Sequence, residues 1–471
     1  MRSIDAGRRR FLRTASLLSP LGAAAPFAVN LAAVGAASAQ AATDYRALVC
    51  VFMFGGNDQG NTVLATDPDS WAAYRGLRAS ASTSLALDAP GASGGVLEIV
   101  PSTPQSGRNF AIHPSMGPMK AMFDDGRAAV IANVGTLIAP TTKSQFRAAS
   151  VPLPPKLFSH NDQQSTWQAY APEGARVGWG GRLGDLLGDT NATNSFTCVS
   201  ASGNAVWLAG QQTIPFQIGR NGAASIGGLD GWLFGSRQAA EIYRNVITSS
   251  GPNLIERSHA GVTTRTLDAQ AALNAAMIDA ASLEPVPTLP GTTQTNGLAT
   301  QLNTVARIIA GRGALGLRRQ TFFVSTGGFD THSGQRARQA ELLGGLAQAL
   351  EYFERLLASP AIGAAGDVTT FTASDFGRTG TSNGDGTDHG WGAHHFVVGG
   401  AVRGGDIYGR YPTIGNLTDD DVGNGRLIPG ISVDQYGATL ARWFGVEDAA
   451  LADVFPNLAN FGAERDLGFM G

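Results

Sequence analysis

The sequence predicts an α/β fold: a largely parallel sheet covered by helices on both faces, as in an α/β/α sandwich. Three observations predict it. Short apolar runs of strand length alternate with longer stretches of helical period. Runs such as "LVCVFMF" and "TFFVST" are apolar throughout, as in strands buried on both faces. Several of these runs stop at Gly and Asp, the punctuation of a strand end. At 471 residues the chain exceeds what one small core needs, so one large domain or two domains fit its length.

Taken in order, "ALVCVFMFGGNDQGNTV" (Ala47 to Val63) gives an eight-residue apolar strand, a Gly-Gly corner and Asn-Asp. "AIHPSMGPMKAMFDDGRAAVIANVG" (Ala111 to Gly135) reads as a short helix, then a strand from Ala128 to Val134. "KLFSHNDQQSTWQAYAP" (Lys156 to Pro172) predicts a helix capped by Ser159, with Asp162 at the third position in the manner of a capping box. Residues 173 to 235 are rich in Gly, Asn, Ser and Thr, with short β-like pieces such as "AVWLAG". Helical period returns in "SRQAAEIYRNVI" and "TRTLDAQAALNAAMIDAA", and the Pro- and Thr-rich "LEPVPTLPGTTQTNG" is a surface loop. Leu298, Leu302, Val305 and Ile309 mark one face of a further helix. The strand in "QTFFVSTGGFDTH", an amphipathic helix from Gln335 to Leu357 and the strand in "DVTTFTASDFGRTG" follow. After a Gly-rich loop come the strand "HHFVVGGAV" and a final helix, "SVDQYGATLARWFG".

Composition excludes several classes. Charged residues make up 15% with no acidic or basic tail, and Lys occurs only at Lys120, Lys143 and Lys156. Without a basic stripe, nucleic acid is not the partner. Residues 1–39 read as an export signal: "GRRRFLR", an Ala- and Leu-rich stretch, then "ASA". The segment resembles a twin-arginine signal with Arg8 and Arg9 as the pair, which implies the twin-arginine export machinery and a periplasmic or secreted protein. Pro20, Pro26 and Asn30 interrupt the stretch and disfavour a stable membrane span. Cleavage before Gln40 leaves one domain, 40–471, and moves the net charge from −3 to −7. Cys50 and Cys198 could pair in an oxidising compartment, although Cys50 lies within a predicted strand and reads better as a buried thiol.

In open parallel sheets, ligands bind beyond the carboxyl ends of the strands. Asp58, Asp330 and Asp375 each follow such an end. Three carboxylates on one edge repel unless a cation sits among them; singly, each reads as an ordinary turn residue. Of seven histidines, His160, His332, His389, His394 and His395 fall in or beside these stretches, whereas His113 and His259 have bland surroundings. His with Asp is a ligand set for Zn²⁺ and similar cations, and a hydrogen-bonded Asp–His network is its rival. "GTDHGWGAHH" adds Asp388. Arg378 is a planar donor for an oxyanion or an ordinary structural Arg. Ser159 is a nucleophile if something lowers its pKa, and otherwise a helix cap.

"LVCVFMFGGNDQGNTV", "IHPSM", "SHNDQQSTW", "GGFDTHSGQ", "TASDFGRTG", "GTDHGWGAHHFVVGG" and "DQYGATLARWFGV" together resemble the bacterial DUF1501 family over most of the chain. That resemblance implies membership of the alkaline phosphatase and sulfatase-like superfamily, and so an alkaline phosphatase-like sandwich with a metal-assisted site. It implies a metal-dependent hydrolase of phosphate or related esters, with zinc or a similar divalent cation held by Asp58, Asp330, His332, Asp375, Asp388, His389 and His394. Ser159, His160 and Arg378 become the catalytic candidates, and the substrate is a small-molecule or polymer ester. Two departures stand out: Phe376 occupies a position where many relatives carry His, and the sulfatase signature is absent. They favour the alternative, a non-catalytic exported protein that binds an exported partner. An oxidoreductase has no support, since the Gly clusters form no dinucleotide fingerprint after a strand.

Overall fold

The computed structural model describes residues 44–471 apart from 80–82, 106, 220–221, 224–225 and 230. The segment 1–39, read from sequence as an export signal with Arg8 and Arg9, lies outside the described residues. Among the described residues, no helix is long and apolar enough to cross a membrane.

The strands are β1 (Arg46–Met53), β2 (Val63–Ala65), β3 (Leu97–Ile99), β4 (Phe110–Ile112) and β5 (Ala128–Gly135). They continue as β6 (Cys198–Ser200), β7 (Phe216–Gly219), β8 (Gly222–Ala223), β9 (Arg319–Thr326) and β10 (Val368–Ser374). The last are β11 (Arg378–Ser382), β12 (Thr387–His389), β13 (Ala393–Val398), β14 (Ile407–Tyr408) and β15 (Ile431–Ser432). The main sheet runs in the order β14-β5-β13-β10-β1-β9-β6-β7-β8, with β15 also on β5. Every adjacent pair is parallel except those involving β13 and β8.

Alternation along β1 explains why both faces are covered. Val49, Val51 and Met53 enter one core with the helices Gly117–Asp124, Gly297–Ala310 and Gln335–Ala358. Leu48, Cys50 and Phe52 enter the other, with Trp167, the helix Trp179–Leu187 and the helix Val433–Phe444. A strand sandwiched in this way has no polar face, so its residues are apolar at successive positions. The α/β sandwich expected from sequence is what the chain forms. Cys50 and Cys198 are both free and buried, and Cys198 accepts a hydrogen bond from Thr321 Oγ1 at 3.1 Å.

The structure corrects two local expectations. "GTDHGWG" is part of a hairpin, β11 against β12, and its strand β12 ends at His389. Ser159 is the N-cap of the helix His160–Ala169 but makes no side-chain bond to the backbone; its hydroxyl donates to Asp162 Oδ2 at 2.8 Å instead.

Candidate metal centre at the strand ends

β1 lies between β9 and β10, with Met53 level with both Thr326 and Ser374. Asp58, Asp330 and Asp375 therefore leave three neighbouring strands at one edge. The turn after β1 requires glycine. Gly55 has φ 113° and a Cβ there would lie 2.3 Å from the Asp330 nitrogen; Gly56 has φ 82° and its Cβ would lie 2.5 Å from the Phe376 ring. The Gly-Gly corner thus lets the β9 and β10 exits close against β1.

Asp330 is the focus. Its Oδ1 faces four nitrogens: Arg378 Nη1 and His332 Nε2 at 3.0 Å, and His160 Nε2 and His389 Nε2 at 3.4 Å. Each imidazole is held through its other nitrogen. His160 Nδ1 lies 2.6 Å from Asp375 Oδ2, His389 Nδ1 lies 2.7 Å from the Phe158 carbonyl oxygen, and His332 Nδ1 lies 3.2 Å from Asp388 Oδ1. Carbonyls and carboxylates only accept, so in each neutral ring the proton belongs on Nδ1 and an Nε2 lone pair faces Asp330. His332 Nε2 and His389 Nε2 are 3.0 Å apart, an arrangement that needs a proton or a cation between them.

The electrostatics differ from ring to ring. The hydrogen bond that His160 donates to Asp375 raises the pKa of His160, whereas burial lowers that of His389. Burial pushes the Asp330 carboxyl up, but the hydrogen bond and charge of Arg378 outweigh it and the pKa is lowered.

His160, Asp330 and His389 each present a ligand atom within 4.8 Å of the other two, so they form a triad able to hold a metal ion. His160 Nε2 is buried and has no hydrogen-bond partner, which is the orphaned donor atom a cation would satisfy. Two imidazoles and one carboxylate suit a borderline cation with tetrahedral preference. His332 stands beside them, with its Nε2 3.0 Å from Asp330 Oδ1, but is not part of the triad.

The remaining residues singled out from sequence lie elsewhere or are already engaged. Asp58 is 1% exposed and bound bidentately by Arg78, at 2.5 and 2.8 Å, with Gln335 Nε2 on the same carboxylate. Asp375 and Asp388 support histidines from behind, and neither is in the triad. His394 is in the core: its ring stacks on Tyr411 with centroids 4.8 Å apart, its Nδ1 accepts from Asn133 N, and burial lowers its pKa to about 3. His395 is likewise buried, packed between Trp167 and Tyr436. Arg378 is 0% exposed and four of its five N–H bonds are committed within the protein, which leaves little for a substrate oxyanion: Nη1 goes to Gly55 O and Asp330, Nε to Thr387 Oγ1 and Nη2 to Thr387 O. Ser159 donates its hydroxyl hydrogen bond to the Asp162 carboxylate, a weak base whose pKa this bond lowers further.

Sequence reasoning missed Arg78, Gln335 and the Phe158 carbonyl. Arg78 ends the helix Pro68–Arg78 twenty residues after Asp58, and Gln335 opens the helix Gln335–Ala358, where a polar residue is unremarkable. Their burial at 0–1% is the signal, and only the fold exhibits it.

A family model described as "Protein of unknown function (DUF1501)" matches residues 45–431. The chain belongs to that family. Among curated proteins, none matches this DUF1501 chain. Among solved structures it is similar to one described as "Crystal structure of Ps i-CgsB", at 10% identity and a TM-score of 0.34, covering 89% of this chain and 77% of that one. So distant a likeness carries no functional argument.

Proposed function

We propose that this DUF1501 protein is an exported, metal-dependent hydrolase of phosphate or related esters, with the superfamily kinship that its motifs resemble. The observation that carries this reading is the convergence of His160, His389 and Asp330, with His160 Nε2 buried, 3.4 Å from Asp330 Oδ1 and without a hydrogen bond. His160, His389 and Asp330 would hold a zinc-like divalent cation, with His332 adjacent. Such a cation supplies an electrophile for an ester oxygen and a lowered pKa for water. The chain's own residues do the rest of the positioning. Arg378 clamps Asp330, Asp375 orients His160, and the Phe158 carbonyl fixes the tautomer of His389. Asp330 is 44% exposed, so the edge is open to a small-molecule or polymer ester. Export through the twin-arginine route and a single domain over 40–471 belong to the same proposal.

The alternative is a non-catalytic binding or assembly protein. Two observations favour it: Ser159 is engaged by Asp162, and Trp232, Phe234, Leu254 and Ile255 are 60–95% exposed, as a surface for an exported partner would be.

Elemental analysis of the exported protein, purified without chelator, paired with a panel of 4-nitrophenyl phosphate, phosphodiester and sulfate, tests the choice. Hydrolysis of at least one ester, lost together with the metal in Asp330→Asn, is expected. A wild-type protein that carries no metal even after dialysis against zinc sinks the hydrolase; bound metal without turnover of any ester selects the binding protein.

A further inference from the structure

We infer that the strand-end site holds one divalent cation, not a pair, and that the guanidinium of Arg78 gives Asp58 the positive charge a second cation would supply. The inference rests on the metal reading above and concerns how many ions the edge can take.

Three carboxylates leave neighbouring strand ends, and each is held by a different set of partners. Asp58 is enclosed: both oxygens are bound by Arg78, itself 1% exposed, and Oδ1 also accepts from Gly60 N at 3.0 Å. Gln335 Nε2 donates to Oδ2, and Arg78 is locked further by Thr379 O at 3.1 Å. A buried carboxylate needs a charge partner, and here that partner is a side chain. A metal on Asp58 would have to displace the guanidinium or sit in its repulsive field.

Asp375 is also spent. Oδ1 accepts from Gly55 N at 3.2 Å, and Oδ2 takes His160 Nδ1 at 2.6 Å and Gln164 Nε2 at 2.7 Å. Its charge acts through His160. The neighbouring Phe376 contributes only a hydrocarbon ring, whose centroid lies 4.8 Å from those of both His160 and His389. No donor is left on that side for a second ion. Asp330 is the one edge carboxylate with an oxygen turned toward several imidazoles at once. With Asp58 cancelled by Arg78 and Asp375 offsetting the Arg378 guanidinium that clamps Asp330, one divalent cation on Asp330 leaves the edge at a net +1, whereas two cations would leave +3.

The full exported chain, stripped of metal and titrated with Co²⁺ and then Zn²⁺, tests the inference by elemental analysis and the Co²⁺ ligand-field spectrum. We expect one equivalent in the wild type, none in Asp330→Asn, and one in the double variant Asp58→Asn/Arg78→Met, which removes both charges together. Two equivalents in the wild type would overturn the single-ion inference while leaving the metal reading intact. Loss of the ion in the double variant, with its circular dichroism and unfolding midpoint retained, would also overturn it, because Asp58 would then be a ligand. No binding of either ion by the wild type would overturn both readings. If the double variant does not fold, the wild-type stoichiometry still decides.

Discussion

At the residue scale, the site is built less from ligands than from what holds them. Asp375 lies at a strand end, yet its side chain is 0% exposed and its function is exerted through His160. A supporting carboxylate fixes ring orientation and raises ligand basicity, and its removal ordinarily costs about 10–100-fold in metal affinity. Asp375→Asn keeps the shape and loses the charge. It should weaken zinc binding by roughly that factor in a chelator competition, with the unfolding midpoint little changed; unaltered affinity would remove Asp375 from the site. The histidines and Asp330 were legible as Asp-x-His after a strand and as a His-rich stretch near its neighbour. Which carboxylate faces the imidazoles was not, since Asp58, Asp330 and Asp375 have equivalent local sequence and differ only in the partners the fold brings to them.

At the element scale, the corner after β1 decides whether the three exits meet. Gly56 has φ 82° and no room for a Cβ beside Phe376. Gly56→Ala should therefore destabilise the protein by about 1–3 kcal/mol, from backbone strain and displacement of the ring. Urea unfolding measures this, and a midpoint equal to that of wild type would contradict the account. Apolar runs and Gly corners revealed β1, β9 and β10 to within a residue or two. The direction of β13 stayed hidden, because an apolar run looks the same in a parallel and an antiparallel place. The loop expected around Asp388 and His389 is a hairpin, held where Asp388 N meets Thr379 Oγ1 at 3.0 Å and where Asp385 caps the helix Gln335–Ala358 through Gly334 N at 2.9 Å. Those ties cross between separate elements, so no window of sequence contains them.

At the scale of the whole molecule, burial sets the response to acid. His394, 1% exposed, has a folded pKa near 3 against 6.5 for the free side chain. Between those values the unfolded chain binds a proton that the folded chain refuses, so stability rises with pH across the window and is lost on acidification. Replacing His394 by Gln removes this contribution. The stability difference between wild type and variant should then shift by about 1.2 kcal/mol per pH unit on average between pH 4.5 and 6.5, measured as unfolding free energies; parallel profiles would show that His394 is not buried as a neutral ring. In the sequence, His394 and His389 were alike: histidines of one Gly-rich stretch. The alternation of strands and helices, the doubly buried sheet and the edge where chemistry can occur were determined by the sequence alone, because hydrophobic period and turn residues act over a few positions. The tertiary structure alone decided which polar residues use that edge. Arg78 on Asp58, Asp375 behind His160 and Tyr411 against His394 are contacts between residues far apart in the chain. A charge or a lone pair is committed by its nearest neighbours in space, and those are chosen by packing.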